Sequence, residues 1–295
     1  MDVGRILGAG FRLVQAQPFA VAIWVIINIA LAAISQFGMA SMFGSILSAG
    51  NPGADPMAVF SGVGTLYAVQ FGVMIVQLLI WAAAYRAVFY PGNSAFAFLR
   101  LGADEGRLLL LGIVTALISG ALMIGIFLPL GITAGIAGAS GGSPGPGAVL
   151  LTFGAMLLAF VAFIFIGVRL ALAWPMVVAD RRIALGEAWR LSKGRFWPMF
   201  GAALVLAIGL SVAGQIVSAI QFGGLMTALV PGSDPQQMQN LLIERFSSIT
   251  VVSVIAWILG GIVSTAWIVS MAAGISDALV QVKPDDHDDL AEIYA

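Results

Sequence analysis

The sequence predicts an all-α integral membrane bundle of six spanning helices, built as three tandem helical hairpins, each preceded by a cytoplasmic interfacial amphipathic helix. Three observations predict it. The apolar runs are too long for a water-soluble core, basic residues fall on one side of those runs, and two sets of anchor residues recur with one spacing.

Of 295 residues, 60% are hydrophobic and 9% charged, and mean hydropathy is +1.04. A soluble domain carries about 25% charged residues, so this chain lacks the polar surface to face water all round. The net charge of −1 and pI of about 5.7 give no basis for nucleic-acid binding. The absence of Cys excludes disulfides and thiolate chemistry. The one His, His287, sits in an acidic stretch and cannot form a His-pair metal site. No polar segment is long enough for a second globular domain. Residues 1–282 read as one membrane domain, and 283–295 as an acidic, disordered cytoplasmic tail.

A helix needs about 20 apolar residues to cross the hydrocarbon. Six stretches qualify, roughly 18–38, 64–88, 108–136, 148–173, 198–222 and 250–275. The first follows Arg5 and Arg12 and precedes the small residues Gly38 and Ala40, as a cleavable signal would. Its apolar run exceeds the roughly 7–15 residues of such a signal, so it reads as a retained span. Of the 13 Lys and Arg residues, 12 precede odd spans or follow even ones; Arg245 alone falls on the other side. That bias predicts both termini in the cytoplasm.

Phe11-Arg12-Leu13, Leu99-Arg100-Leu101 and Trp189-Arg190-Leu191 each precede an odd span, their arginines 88 and 90 residues apart. Asp55, Ser143 and Asp234, each near a Pro in an outer turn, follow those arginines by 43, 43 and 44 residues. Two anchors sharing one spacing predict three copies of a unit, over about 1–91, 92–178 and 179–282. Each copy crosses twice, so all point the same way, unlike inverted transporter repeats. Asp or Ser before Pro is helix-start chemistry, which places the returning helices' first residues at Pro56, Pro144 and Pro235. Met238, Leu241, Leu242 and Phe246 recur at helical spacing and predict a short helix on the outer surface.

The arginine segments are amphipathic. Ile6, Gly10, Leu13 and Val14 oppose Arg5, Gly8, Arg12 and Gln15; Arg100, Asp104 and Arg107 share one side of the second segment. In the third, Arg181, Arg182, Arg190, Lys193 and Arg195 interleave with Trp189, Phe196 and Trp197. Basic residues in a headgroup layer attract anionic lipid at about 1 kcal/mol each. Plain topological anchoring accounts for Arg12 and Arg100; for the third segment, lipid or partner binding and anchoring stand level.

The stretch Arg169-Leu-Ala-Leu-Ala-Trp-Pro175, then Ala179-Asp-Arg-Arg, then Gly186-Glu-Ala-Trp-Arg-Leu-Ser-Lys-Gly-Arg-Phe-Trp197, carries a resemblance. It resembles the membrane domain ahead of the catalytic barrel in some glycerophosphoryl diester phosphodiesterases, and related uncharacterised bacterial inner-membrane proteins. The match covers about 30 residues. It implies a polytopic inner-membrane protein and no activity, because the phosphodiesterase chemistry belongs to a soluble barrel that this chain lacks.

Intramembrane polar residues are few: Asn28, Gln70, Gln77 and Gln215. They read either as interhelical hydrogen bonds, worth about 0.6 kcal/mol on average, or as the lining of a polar cavity; the first reading is preferred. Arg86 and Arg169 stand at the ends of even spans, where Arg snorkels, and Asp277 holds the corresponding place in the third unit. An Arg86 or Arg169 pairing with Asp277 would close the repeat. Gly131-x-x-x-Gly135 reads as a weak close-packing motif. The Gly-rich run 141–147 has no following Lys and is not a phosphate loop. Catalytic residues, cofactors and metals find no candidate. The expectation is a non-enzymatic membrane protein that contacts lipids or a membrane partner through Arg181, Arg182, Trp189, Arg190, Lys193, Arg195 and Trp197. The alternative is a transporter or channel for a small or amphiphilic substrate, built on the four polar residues.

Overall fold

A computed structural model describes residues 1–49, 56–92, 95–100, 102–139, 145–226 and 248–283. Among these the chain is helical, without strands. The helices are α1 (Val3–Ala16), α2 (Pro18–Ala49), α3 (Pro56–Phe89), α4 (Ala103–Ala139), α5 (Pro146–Leu170), α6 (Ala173–Ala179), α7 (Leu185–Leu191), α8 (Phe196–Met226) and α9 (Val251–Val282). A 3-10 turn, Ala95–Phe98, lies between α3 and α4. Six segments are long and apolar enough to cross a membrane, with mean hydropathy between 1.9 and 2.8. The protein is a multi-pass membrane protein by that measure. At about 1.5 Å per residue the longer helices reach roughly 46–56 Å, beyond the roughly 30 Å of hydrocarbon, so they tilt or project past it.

The pairs α2–α3, α4–α5 and α8–α9 lie side by side, and α9 packs against α1, α2, α3 and α8. Its small residues allow this. A methyl group on Gly261 would stand 2.8 Å from the backbone N of Ile29, and one on Gly10 would stand 2.8 Å from the Cα of Ser270. Both are tighter than side chains tolerate, so backbones touch there. By contrast no atom of the described residues approaches Gly131.

The buried core gathers at the end of the bundle where α1, α6 and α7 lie, called here the basic end. Ile6, Ala9, Gly10 and Leu13 of α1 recur at helical spacing and are its buried face. Ile80–Phe89 of α3, Leu172–Val178 and Ile268–Val280 of α9 supply most of the rest. Toward the other end the apolar side chains turn outward. On α5, Val149, Leu150, Leu151 and Phe153 are all exposed though they lie on different faces of the helix. That pattern suits acyl chains as solvent, not water.

Several expectations need correction. The second amphipathic segment is no separate helix among the described residues: Phe96, Ala97 and Phe98 all have positive φ, forming a left-handed turn, and Asp104 and Arg107 belong to the start of α4. The turn is held by the Trp24 indole donating to the Ala97 carbonyl (3.1 Å) and by Arg86 donating to the Phe98 carbonyl (3.3 Å). The fourth span starts at Pro146 behind Gly145, two residues after the expected Pro144, while α3 does start at Pro56. Pro at the first helical position explains both, since its missing N–H would be unbonded anyway. Asp55, Ser143, Pro144, Asp234, Pro235, Arg245, His287 and the surface helix expected after Pro235 lie outside the described residues.

Candidate functional site

The third elbow is built from α6, α7 and the start of α8. Arg181, in the left-handed region at φ 54°, turns the chain out of α6; Gly194, at φ 79°, turns it into α8, where only glycine is free of strain. Ser192 is buried and its hydroxyl donates to the Trp189 carbonyl (3.0 Å). The elbow is tied to the end of α9 by Lys283, which lies 3.3 Å from Asp180 and 3.1 Å from Glu187. Arg182 lies 2.7 Å from Glu187 and 3.7 Å from Asp180. The Lys283 hydrogen bond holds the Glu187 carboxyl below the usual range; partial burial opposes this, and the Lys283, Arg182 and Arg190 charges add to the lowering.

The elbow's aromatic residues form a ladder. Phe165 of α5 packs edge-on to Trp189 (5.9 Å) and against Phe196 (5.3 Å), which stacks on Phe200 (5.7 Å) and meets Trp197. The Arg169 guanidinium stands over both the Phe165 and Trp189 rings, at 5.3 and 5.2 Å, and donates to the Trp189 carbonyl (3.3 Å). Outside this ladder, Arg181, Arg190, Lys193 and Arg195 are exposed and have no acidic partner at ion-pair distance among the described residues. Trp197 is 75% exposed beside them. Of the expected basic residues, Arg182 is the one held by acidic groups at ion-pair distance among the described residues. Asp180, Glu187 and Ser192 were missed; only their proximity in sequence to the cluster pointed to them.

The helix-end charges pair differently from the expectation. Arg86, buried at the end of α3, lies 2.6 Å from Glu105 and 3.4 Å from Asp104, and donates to the Arg100 carbonyl (3.1 Å). Arg169 contacts the third elbow as above. Asp277, near the end of α9, pairs with Arg5 (2.9 Å) and Arg12 (3.4 Å) of α1, not with Arg86 or Arg169. Chain geometry explains this: α1 packs against α9 with its arginines toward Asp277. Glu105 was missed, although an acidic residue in the first turn of a helix is a readable signal.

Of the intramembrane polar residues, two meet. Gln77 donates to the Asn28 amide oxygen (2.7 Å); Asn28 donates to Thr265 (3.0 Å) and the Trp24 carbonyl (3.0 Å), and Ser264 donates back to Asn28 (3.1 Å). Gln70 and Gln215 are exposed elsewhere, Gln215 on a face of α8 alone. The Asn28 cluster locks α2, α3 and α9 together. A cavity of about 560 Å³ opens between α3, α4, α6 and α9; it touches Gln77 but is otherwise lined by apolar and aromatic side chains. Among the described residues, no group of three or more His, Asp or Glu could hold a metal.

Fold and site together define a multi-pass helical membrane protein with a basic, aromatic elbow at one end. No family model, curated protein or solved structure matches the chain.

Proposed function

We propose that this is a non-enzymatic protein of the bacterial inner membrane that binds anionic lipid headgroups, or a membrane partner presenting equivalent charge, through the third elbow. The observation carrying this reading is the exposed set Arg181, Arg190, Lys193 and Arg195 beside Trp197, with no acidic group at ion-pair distance among the described residues. Basic side chains flanking an indole match the chemistry of the headgroup layer, where Trp residues concentrate. The resemblance of residues 169–197 to inner-membrane domains agrees with this location. The N-in, C-in orientation rests on the basic residues, which gather at one end of the bundle.

The threefold repeat belongs to the same reading. The end of the first hairpin contacts the segment ahead of α4 through Arg86, the end of the second contacts the third elbow through Arg169, and the end of the third returns to α1 through Asp277. One relation thus runs between successive units and closes on the first.

The test is Arg190→Ala combined with Lys193→Ala, with phosphatidylglycerol retention followed by native mass spectrometry. Retention is expected to weaken by about ten-fold or more, two charges at about 1 kcal/mol each. Unchanged retention with a folded bundle would count against the elbow as a headgroup site. A transporter built on Asn28, Gln70, Gln77 and Gln215 has less support, because Gln70 and Gln215 stand apart from the Asn28–Gln77 pair.

A further inference from the structure

The 560 Å³ cavity is remote in character from the elbow. One wall is a stripe on α3, Met74, Gln77, Trp81 and Tyr85; the facing wall is Leu108, Gly112 and Ala116 of α4, with Trp174 of α6 at its basic end. Its size lies in the range of small-molecule sites, about 300–1,000 Å³. Rim residues Met74, Ile75, Leu109 and Ile113 are exposed, so the cavity opens sideways onto the surface that faces acyl chains.

Its polar groups are mostly donors, the exception being the amide oxygen of Gln77, whose amide nitrogen already donates to Asn28. Tyr85 is only 1% exposed and lines the cavity, yet its hydroxyl has no hydrogen-bond partner among the described residues. The indole N–H groups of Trp81 and Trp174 likewise have none, whereas the indoles of Trp24 and Trp257 are bonded to Ala97 and Gln36. An indole only donates, and a phenol donates readily. Trp81 and Trp174 are half-buried, so the weight falls on Tyr85: an unmet donor on a buried residue where water is scarce is costly, and an acceptor would meet it. An apolar body carrying carbonyl oxygens supplies that acceptor.

We propose that this cavity binds one acyl-ester lipid, its chain lying along Met74–Trp81 and an ester carbonyl accepting from Tyr85. The site lies at the basic end, where the chain meets its headgroup region, which places the carbonyl at the depth of Tyr85 and the chain toward the bilayer centre. The proposal extends the lipid-binding reading to a second place and depends only on the chain's membrane location, not on the elbow.

The test uses the full chain in nanodiscs of phosphatidylethanolamine and phosphatidylglycerol, with trace phosphatidylglycerol carrying a diazirine at the end of one acyl chain. Photo-cross-links are expected to concentrate on the α3 stripe around Met74 and Leu78. Ala116→Phe, which obstructs the cavity from the α4 wall, should abolish that concentration. Tyr85→Phe keeps the ring and removes only the hydroxyl, and should lower the yield about five-fold. Arg190→Ala with Lys193→Ala should leave it unchanged, so loss of the elbow site and loss of this one are distinguishable. Melting of each variant in the same nanodiscs separates site loss from misfolding. Cross-links spread evenly over α3 and the exposed α5 face, or an Ala116→Phe variant that folds and labels like the parent, would overturn the proposal.

Discussion

Arg86 is the clearest case of one residue holding two elements. Its guanidinium is buried, 2.6 Å from Glu105, and it also donates to the Phe98 and Arg100 carbonyls. A buried ion pair is a weak source of net stability, but removing one partner strands the other in a low-dielectric site. Glu105→Ala is therefore expected to destabilise by about 3–5 kcal/mol, and Arg86→Met with Glu105→Leu by much less. Unfolding in detergent, with both variants measured against the parent, checks the ordering. Ala97 offers the opposite case. Its φ of 55° costs an L-residue roughly 1–2 kcal/mol, and its methyl is not what holds the turn, since Trp24 grips the carbonyl. Ala97→Gly should be neutral to stabilising by up to about 1 kcal/mol in the same assay, even though Ala97 is buried. At Glu187, the carboxyl is held low by Lys283. A lowered value in the folded state means the contribution is complete above the unfolded carboxylate's pKa and is lost as pH falls through the folded one. The tie between α9 and the elbow should therefore loosen on acidification, and a Glu187→Gln variant should lose that part of the pH dependence in melting curves.

At the scale of elements, α1 was legible almost in full. Its apolar residues recur with the period of a helix and the same positions are buried, apart from Val14, which is exposed. The long apolar helices were legible by length alone. The left-handed turn at Phe96–Phe98 was not, because it contains none of the glycines or asparagines that announce such a backbone; tertiary hydrogen bonds impose it. The partner of Asp277 was also out of reach, since sequence order says which charges exist but not which helix lies beside α9. Likewise the cavity depends on how far α4 stands from α3, which no periodicity encodes. The close crossing of α1 and α9 carries its own prediction. Gly10→Val places atoms against Ser270, and overpacking of this kind costs about 1–3 kcal/mol. Protease sensitivity of α1 should rise in that variant, while Gly131→Ala, with no atom of the described residues near it, should leave it unchanged.

For the whole molecule, the proposed orientation makes a simple demand. The chain has no Cys, so single-cysteine labelling is unambiguous: Lys193→Cys should react only from the cytoplasmic side and Gly145→Cys only from the opposite side. Labelling of both from one side would undo the membrane reading. The Arg5–Arg12–Asp277 contact is the closure of the structure, joining positions 272 and 265 residues apart. Asp277→Arg should weaken the fold, and adding Arg5→Asp with Arg12→Asp should recover part of the loss. That closure also orders events at the ribosome. Arg5 and Arg12 are synthesised long before Asp277, so their neutralisation waits for α9. A chain lacking α9 would therefore present α1 with two arginines that Asp277 does not compensate.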